Sequence, residues 1–128
     1  MKFSQAYILV LDSSRRDTQA IYTLLKQLRC PVFVAETIDQ AVAKAKQCSP
    51  YLVILRGDYQ EGAPGLIEQL RQTMQAAEVT IVALTESSKP SWGDHIEQLG
   101  LDGVFVEPLN GDVLNLLVDS AMAKQAYA

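Results

Sequence analysis

The chain has little of what metal centres, disulfide scaffolds and nucleic-acid surfaces are built from. It holds two cysteines in 128 residues, Cys30 and Cys48, without metal-ligand spacing and without a disulfide framework. They read as reduced, partly buried thiols of a cytoplasmic protein. There is one histidine, His95, and no run of five basic residues. The formal net charge of -4, with a pI near 4.9, argues against direct nucleic-acid binding, which calls for a basic face. Residues 1–6 lead straight into an apolar run that ends at an acid, too short and wrongly flanked for a signal peptide or a membrane span. Glycines are absent after that run, where Asp12-Ser13-Ser14-Arg15 stands, so the nucleotide fingerprint of a dinucleotide fold is missing.

What is present is a regular alternation of short apolar runs and amphipathic stripes. Residues 7–11, 32–35, 51–55, 79–84 and 104–106 read as strands that are apolar on both faces. Between and after them, apolar residues recur at helical spacing: Ile21, Leu24, Leu25 and Leu28; Ile38, Ala41, Val42 and Ala45; Leu66, Ile67, Leu70 and Met74; then Val113, Leu114, Leu117, Val118 and Ala121. A short fourth helix is expected over residues 92–99. Thr37 or Asp39 is positioned to cap the second helix, and Ser13 or Ser14 the first. Gly57 to Gly65 is glycine-rich and holds Pro64, a loop signature. Gly100 and Gly103 bracket the turn into the last strand. Five strands alternating with five helices predict an α/β fold, one doubly wound parallel sheet covered on both sides. Right-handed crossovers favour strand order 2-1-3-4-5. A chain of this length reads as a single domain over residues 1–128.

In such a sheet the carboxyl ends of the strands converge on one crevice, the usual place for chemistry. Three runs end there in charges: Asp12 after the first, Arg56 after the third and Glu107 before Pro108 after the fifth. With these residues in their elements, the chain resembles the response-regulator receiver family (flavodoxin-like, CheY-like) over its whole length. The resemblance implies two acids after the first strand that hold a divalent metal, and an aspartate ending the third strand that accepts a phosphoryl group. It also implies a Thr or Ser ending the fourth strand, a Lys-Pro ending the fifth, and an aromatic switch residue three places before that lysine. In this chain Asp12 keeps the first acid and Ser13 replaces the second. Arg56 stands at the acceptor position, Thr85 keeps the hydroxyl, and Glu107 replaces the lysine before Pro108. Val104 occupies the switch position, with Phe105 beside it. The family pattern further implies a cis Glu107-Pro108 bond.

Phosphoryl transfer to a carboxylate needs a nucleophile and cations that neutralise the transferring oxygens. A guanidinium offers neither a nucleophile nor a ligand for a hard cation, and Glu107 repels a phosphoryl group where lysine attracts one. The residues therefore predict no catalysis, no cofactor and no metal. Arg56 is expected to pair with Asp12 or Glu107; the alternative is a side chain reaching from the strand end into solvent. The rival reading places a displaced acceptor at Asp58, two residues on, in a two-component phosphorelay; otherwise Asp58 is a solvated loop acid.

The expected function is a pseudo-receiver, a signalling module that acts through protein contacts without aspartyl phosphorylation. The family resemblance places its partner face on the fourth helix, fifth strand and fifth helix. Trp92, His95, Leu99, Leu101, Val104 and Leu109 lie there, available to a signalling protein or to a second copy of the chain.

Overall fold

The computed structural model describes residues 7–12, 23, 25–27, 31–48, 50–56, 67–69, 71–72, 79–85, 101–106 and 110–126. Five strands, β1 (Ile8–Asp12), β2 (Val32–Ala35), β3 (Leu52–Arg56), β4 (Thr80–Thr85) and β5 (Gly103–Val106), form one sheet in the order β2-β1-β3-β4-β5. All four pairings are parallel. The fold class and strand order are those the alternation predicts. Strand ends differ slightly: β1, β3 and β4 each run one residue further, so Asp12, Arg56 and Thr85 are the last residues of their strands. Gly103, expected in the turn, opens β5.

Two helices are described along their length, α1 (Ile38–Gln47) and α2 (Gly111–Ala126). Helical backbone also occurs at Thr23, Leu25 and Lys26 and at residues 67–69 and 71–72, inside the first and third predicted helices. The predicted fourth helix lies outside the described residues. Among the described residues, no helix is long and apolar enough to cross a membrane.

The central strands are apolar on both faces because both faces are covered. Leu9, Leu11, Val53, Leu55, Ile81 and Ala83 point to one side and pack with Ala41, Val42 and Ala45 of α1 and with Ile67. Ile8, Val10, Leu52, Ile54, Val82 and Leu84 point to the other and pack with Leu25 and with Leu114, Val118 and Ala121 of α2. This strict alternation fixes register, since a slip of one residue would exchange the two faces.

Local chemistry sets the helix ends. Thr37 holds extended backbone and its Oγ1 accepts from the Gln40 N–H at 3.1 Å. Gln40 Oε1 in turn accepts from the Glu36 N–H at 2.9 Å, a reciprocal cap closing one residue earlier than the usual box. Thr37 is thus the cap, while Asp39 sits in the first turn and Lys44 and Lys46 in the last, a charge order that suits the helix dipole. Asn110 Oδ1 starts α2 by accepting from the Val113 N–H at 2.8 Å.

At the other end of α1 the Tyr7 hydroxyl donates to the carbonyls of Lys44 and Cys48; the Lys44 carbonyl also accepts the Cys48 N–H at 3.1 Å, so the tyrosine reinforces the closing turn of the helix. The Lys44 ammonium lies 5.3 Å from the Tyr7 ring centroid and 5.2 Å from that of Phe33, within cation–π range of both. Burial, and secondarily the nearby Cys48, push the Tyr7 hydroxyl well above the usual tyrosine range.

Candidate functional site

Asp12 and Arg56 close the carboxyl edge of the two central strands. They are partners in the β1–β3 register. Since Leu11 and Leu55 face the α1 side, alternation turns both charged side chains to the α2 side, where they are neighbours. The Arg56 guanidinium donates from Nη1 to Asp12 Oδ2 at 2.9 Å, with the two side chains only 7% and 5% exposed.

The expected ion pair is therefore present, formed with Asp12, and the alternative of an arginine extended into solvent is excluded. Taking either charge out of water alone costs several kcal/mol, so each is tolerable here because the other is present. In chemical terms, a carboxylate at this edge already has a fixed, buried countercharge. Its partner is a permanent cation with no nucleophilic character.

The other predicted pocket residues divide by where they fall. Thr85 ends β4 opposite Val106 of β5. Ser13, Asp58, Glu107 and Pro108 lie outside the described residues, and with them the second possible partner of Arg56 and the geometry of the Glu107-Pro108 bond. Among the described residues, no group of three or more His, Cys, Asp or Glu side chains is placed to hold a metal ion.

At the switch position, Val104 is partly buried against the α1-side core, whereas Phe105 packs on the α2 side. Adjacent strand residues point to opposite faces, so Phe105 cannot take over the position of Val104. Its ring instead lies over Gly103, where a Cβ would come within 3.1 Å of it. Of the predicted partner face, Leu101 is buried in the α1-side core at 8% exposure. It is a packing residue and not a contact residue. Trp92, His95, Leu99 and Leu109 lie outside the described residues.

A second polar cluster, unforeseen in the sequence, sits at the opposite end of the sheet. Asp102 Oδ2 accepts from the Ile81 N–H at 2.8 Å and from Arg71 Nη2 at 3.2 Å. Arg71 Nη1 also donates to the Val79 carbonyl at 2.8 Å. This cluster ties a helical segment to the start of β4 and the entry to β5. Nothing in the spacing of Arg71 and Asp102, 31 residues apart, signals it.

No family model matches the chain, and no curated relative matches it. Solved structures do. The chain is similar to the chemotaxis protein CheY4 of Vibrio cholerae at 22% identity and a TM-score of 0.73, covering 91% of this chain and 98% of that one. It is also similar to a response regulator receiver domain protein from Clostridium thermocellum, at 16% identity and a TM-score of 0.78, covering 95% and 98%. The receiver domain of NtrX from Brucella abortus matches at 20% identity and a TM-score of 0.74, covering 91% and 98%. The fold is that of a response-regulator receiver domain.

Proposed function

We propose that this chain is a pseudo-receiver, a non-enzymatic signalling module that works through protein contacts and is not phosphorylated on aspartate. The observation that carries the reading is the buried Arg56–Asp12 pair at the carboxyl edge of β1 and β3. On the receiver pattern, Arg56 stands where the acceptor carboxylate would be, and it engages the remaining acid of the metal site. A carboxylate committed to a guanidinium in a low-dielectric setting is a poor ligand for a cation that strips slowly of water. The valine at the switch position, with its aromatic neighbour committed to the other face, supports the same reading. A receiver that relays phosphorylation needs an element that responds to it. Output then depends on a surface that is constitutively displayed.

The test is incubation of the full chain with acetyl phosphate and Mg²⁺, followed by intact-mass measurement. The expected spectrum is unchanged. An added phosphoryl group, lost in Asp58→Asn, would show a working receiver with a displaced acceptor.

A further inference from the structure

The outer strands of the sheet are β2 and β5. Along β2 the backbone groups alternate between β1 and the outside. The Pro31 carbonyl accepts the Ile8 N–H at 3.0 Å, so Pro31, Phe33 and Ala35 form the set that bonds inward. Val32 and Val34 then present their N–H and C=O groups outward, where among the described residues no further strand pairs with them. Natural sheets blunt such edges with charged side chains or with proline at outward positions. Residues 31–35 hold no charge, and Pro31 sits in the inward set. The remaining protection of β2 is its length, four residues. Val32, Phe33 and Val34 are all half-buried, so solvent reaches this edge.

The charges beside the edge select its occupant. α1 packs on the sheet over β1 and β2. Its start is acidic, with Glu36 just before it and Asp39 in the first turn, both exposed; its end is basic, with Lys44 and Lys46 in the last turn. A second copy that approaches edge to edge and antiparallel lays its own α1 alongside in the opposite direction. The acidic start of each helix then meets the basic end of the other, and two-fold symmetry makes the match twice. A parallel approach sets like charges together.

The backbone is self-complementary in the same arrangement. With Phe33 opposite its counterpart, Val32 of each copy faces Val34 of the other, and each such pair exchanges both of its N–H···O bonds. The two Phe33 rings become cross-strand neighbours on the α1 side. Each Lys44 ammonium lies 5.2 Å from its own Phe33 centroid and 5.3 Å from that of Tyr7, which holds it toward β1 and away from the axis.

We infer that the β2 edge is a self-pairing surface, where two copies of this chain join as an antiparallel two-fold dimer and merge their sheets. This surface lies at the opposite edge from the fourth-helix, fifth-strand and fifth-helix face. The inference stands whether or not the chain accepts a phosphoryl group. The contact is small, so the dimer is weak and depends on concentration.

The test follows the full chain by sedimentation velocity from micromolar to millimolar concentration, with amide hydrogen exchange on the same samples. Wild type is expected to pass from monomer to dimer, and the Val32 and Val34 amides to gain protection as it does. Val34→Pro deletes an outward donor and leaves the Phe33 and Ala35 amides that bond to β1. It is expected to keep the chain folded by circular dichroism and monomeric at the highest concentration. Glu36→Lys, an exposed change, is expected to weaken the dimer several-fold, and molar salt to weaken the wild-type dimer likewise. Should Val34→Pro not fold, amide protection and Glu36→Lys carry the test.

A chain that stays monomeric at every concentration would overturn the inference. So would a dimer that forms without protecting Val32 and Val34, or one that Val34→Pro and Glu36→Lys both leave intact, since either assigns the contact to another face.

Discussion

The molecule holds two Arg–Asp bridges at opposite ends of the same sheet, and they are not equivalent. Arg56–Asp12 joins the carboxyl ends of the two central strands, with side chains 7% and 5% exposed. Arg71–Asp102 lies by the amino end of β4 and the entry to β5, with side chains 26% and 32% exposed. The first is a buried pair, in which removing one charge leaves the other with less compensation in a low-dielectric setting. The second is a surface bridge whose value lies less in its charges than in the backbone groups it satisfies. Asp102 takes up the Ile81 amide and Arg71 the Val79 carbonyl. The same two residue types thus do different work, and the difference lies in burial and in what else each atom touches.

Breaking the buried bridge should cost most. Arg56→Ala removes the guanidinium that Asp12 accepts from while both sit buried, and is expected to destabilise the fold by about 3 kcal/mol, read from the midpoint of a urea denaturation curve. A loss below ~1 kcal/mol would mean that water reaches the pair and that it belongs with surface bridges.

At the other bridge the two partners should separate. Asp102→Ala removes the acceptor of the part-buried Ile81 amide as well as the ion pair, at a cost of about 1–3 kcal/mol. Arg71→Ala leaves that amide satisfied and should cost about 1 kcal/mol or less. Raising salt to molar concentration should shrink the ionic part of the Arg71–Asp102 contribution and leave that of Arg56–Asp12 nearly unchanged, because buried pairs are screened much less. Equal costs for Asp102→Ala and Arg71→Ala would assign the cluster to its charges after all.

A smaller effect concerns pH at the amino end of the sheet, where Tyr7 ties β1 to α1. Its folded-state pKa is raised, by burial first and by Cys48 second, so the folded state holds the hydroxyl proton more tightly than the unfolded chain does. The corresponding stability is fully present below the ordinary tyrosine pKa of about 10 and is lost progressively as pH rises beyond it. Thermal unfolding of wild type and Tyr7→Phe should therefore converge above that pH as wild type loses its advantage. A constant gap between them across the alkaline range would contradict the burial account.

Much of the fold was legible because it rests on local rules. Leu52-Val53-Ile54-Leu55, a short run between Pro50 and Gly57, reads as a strand covered on both sides, and Thr37 or Asp39 marks a helix start. The Arg56–Asp12 pair was legible for the same reason, as a charge at the end of each of two strands that topology makes neighbours. Its bond to Asp12 follows from register and alternation, while Glu107, the other partner the sequence offered, lies outside the described residues. The Arg71–Asp102 cluster was not legible, since it joins surface positions with no local pattern between them. Leu101 was misassigned to a contact face because one apolar residue before a strand reads the same whether it turns inward or outward. Only the sheet's position against its neighbours decides.

The central claim is that the position at the end of β3 is occupied by a side chain bound to Asp12, and a double-mutant cycle tests it most directly. Arg56→Met, Asp12→Leu and the double variant would be measured by urea denaturation in one buffer. The account predicts two costly single changes and a double variant much closer to wild type, with a coupling of about 2 kcal/mol or more. Additive losses would show that the two residues do not depend on each other, and would contradict the reading of this crevice as a site closed by its own ion pair.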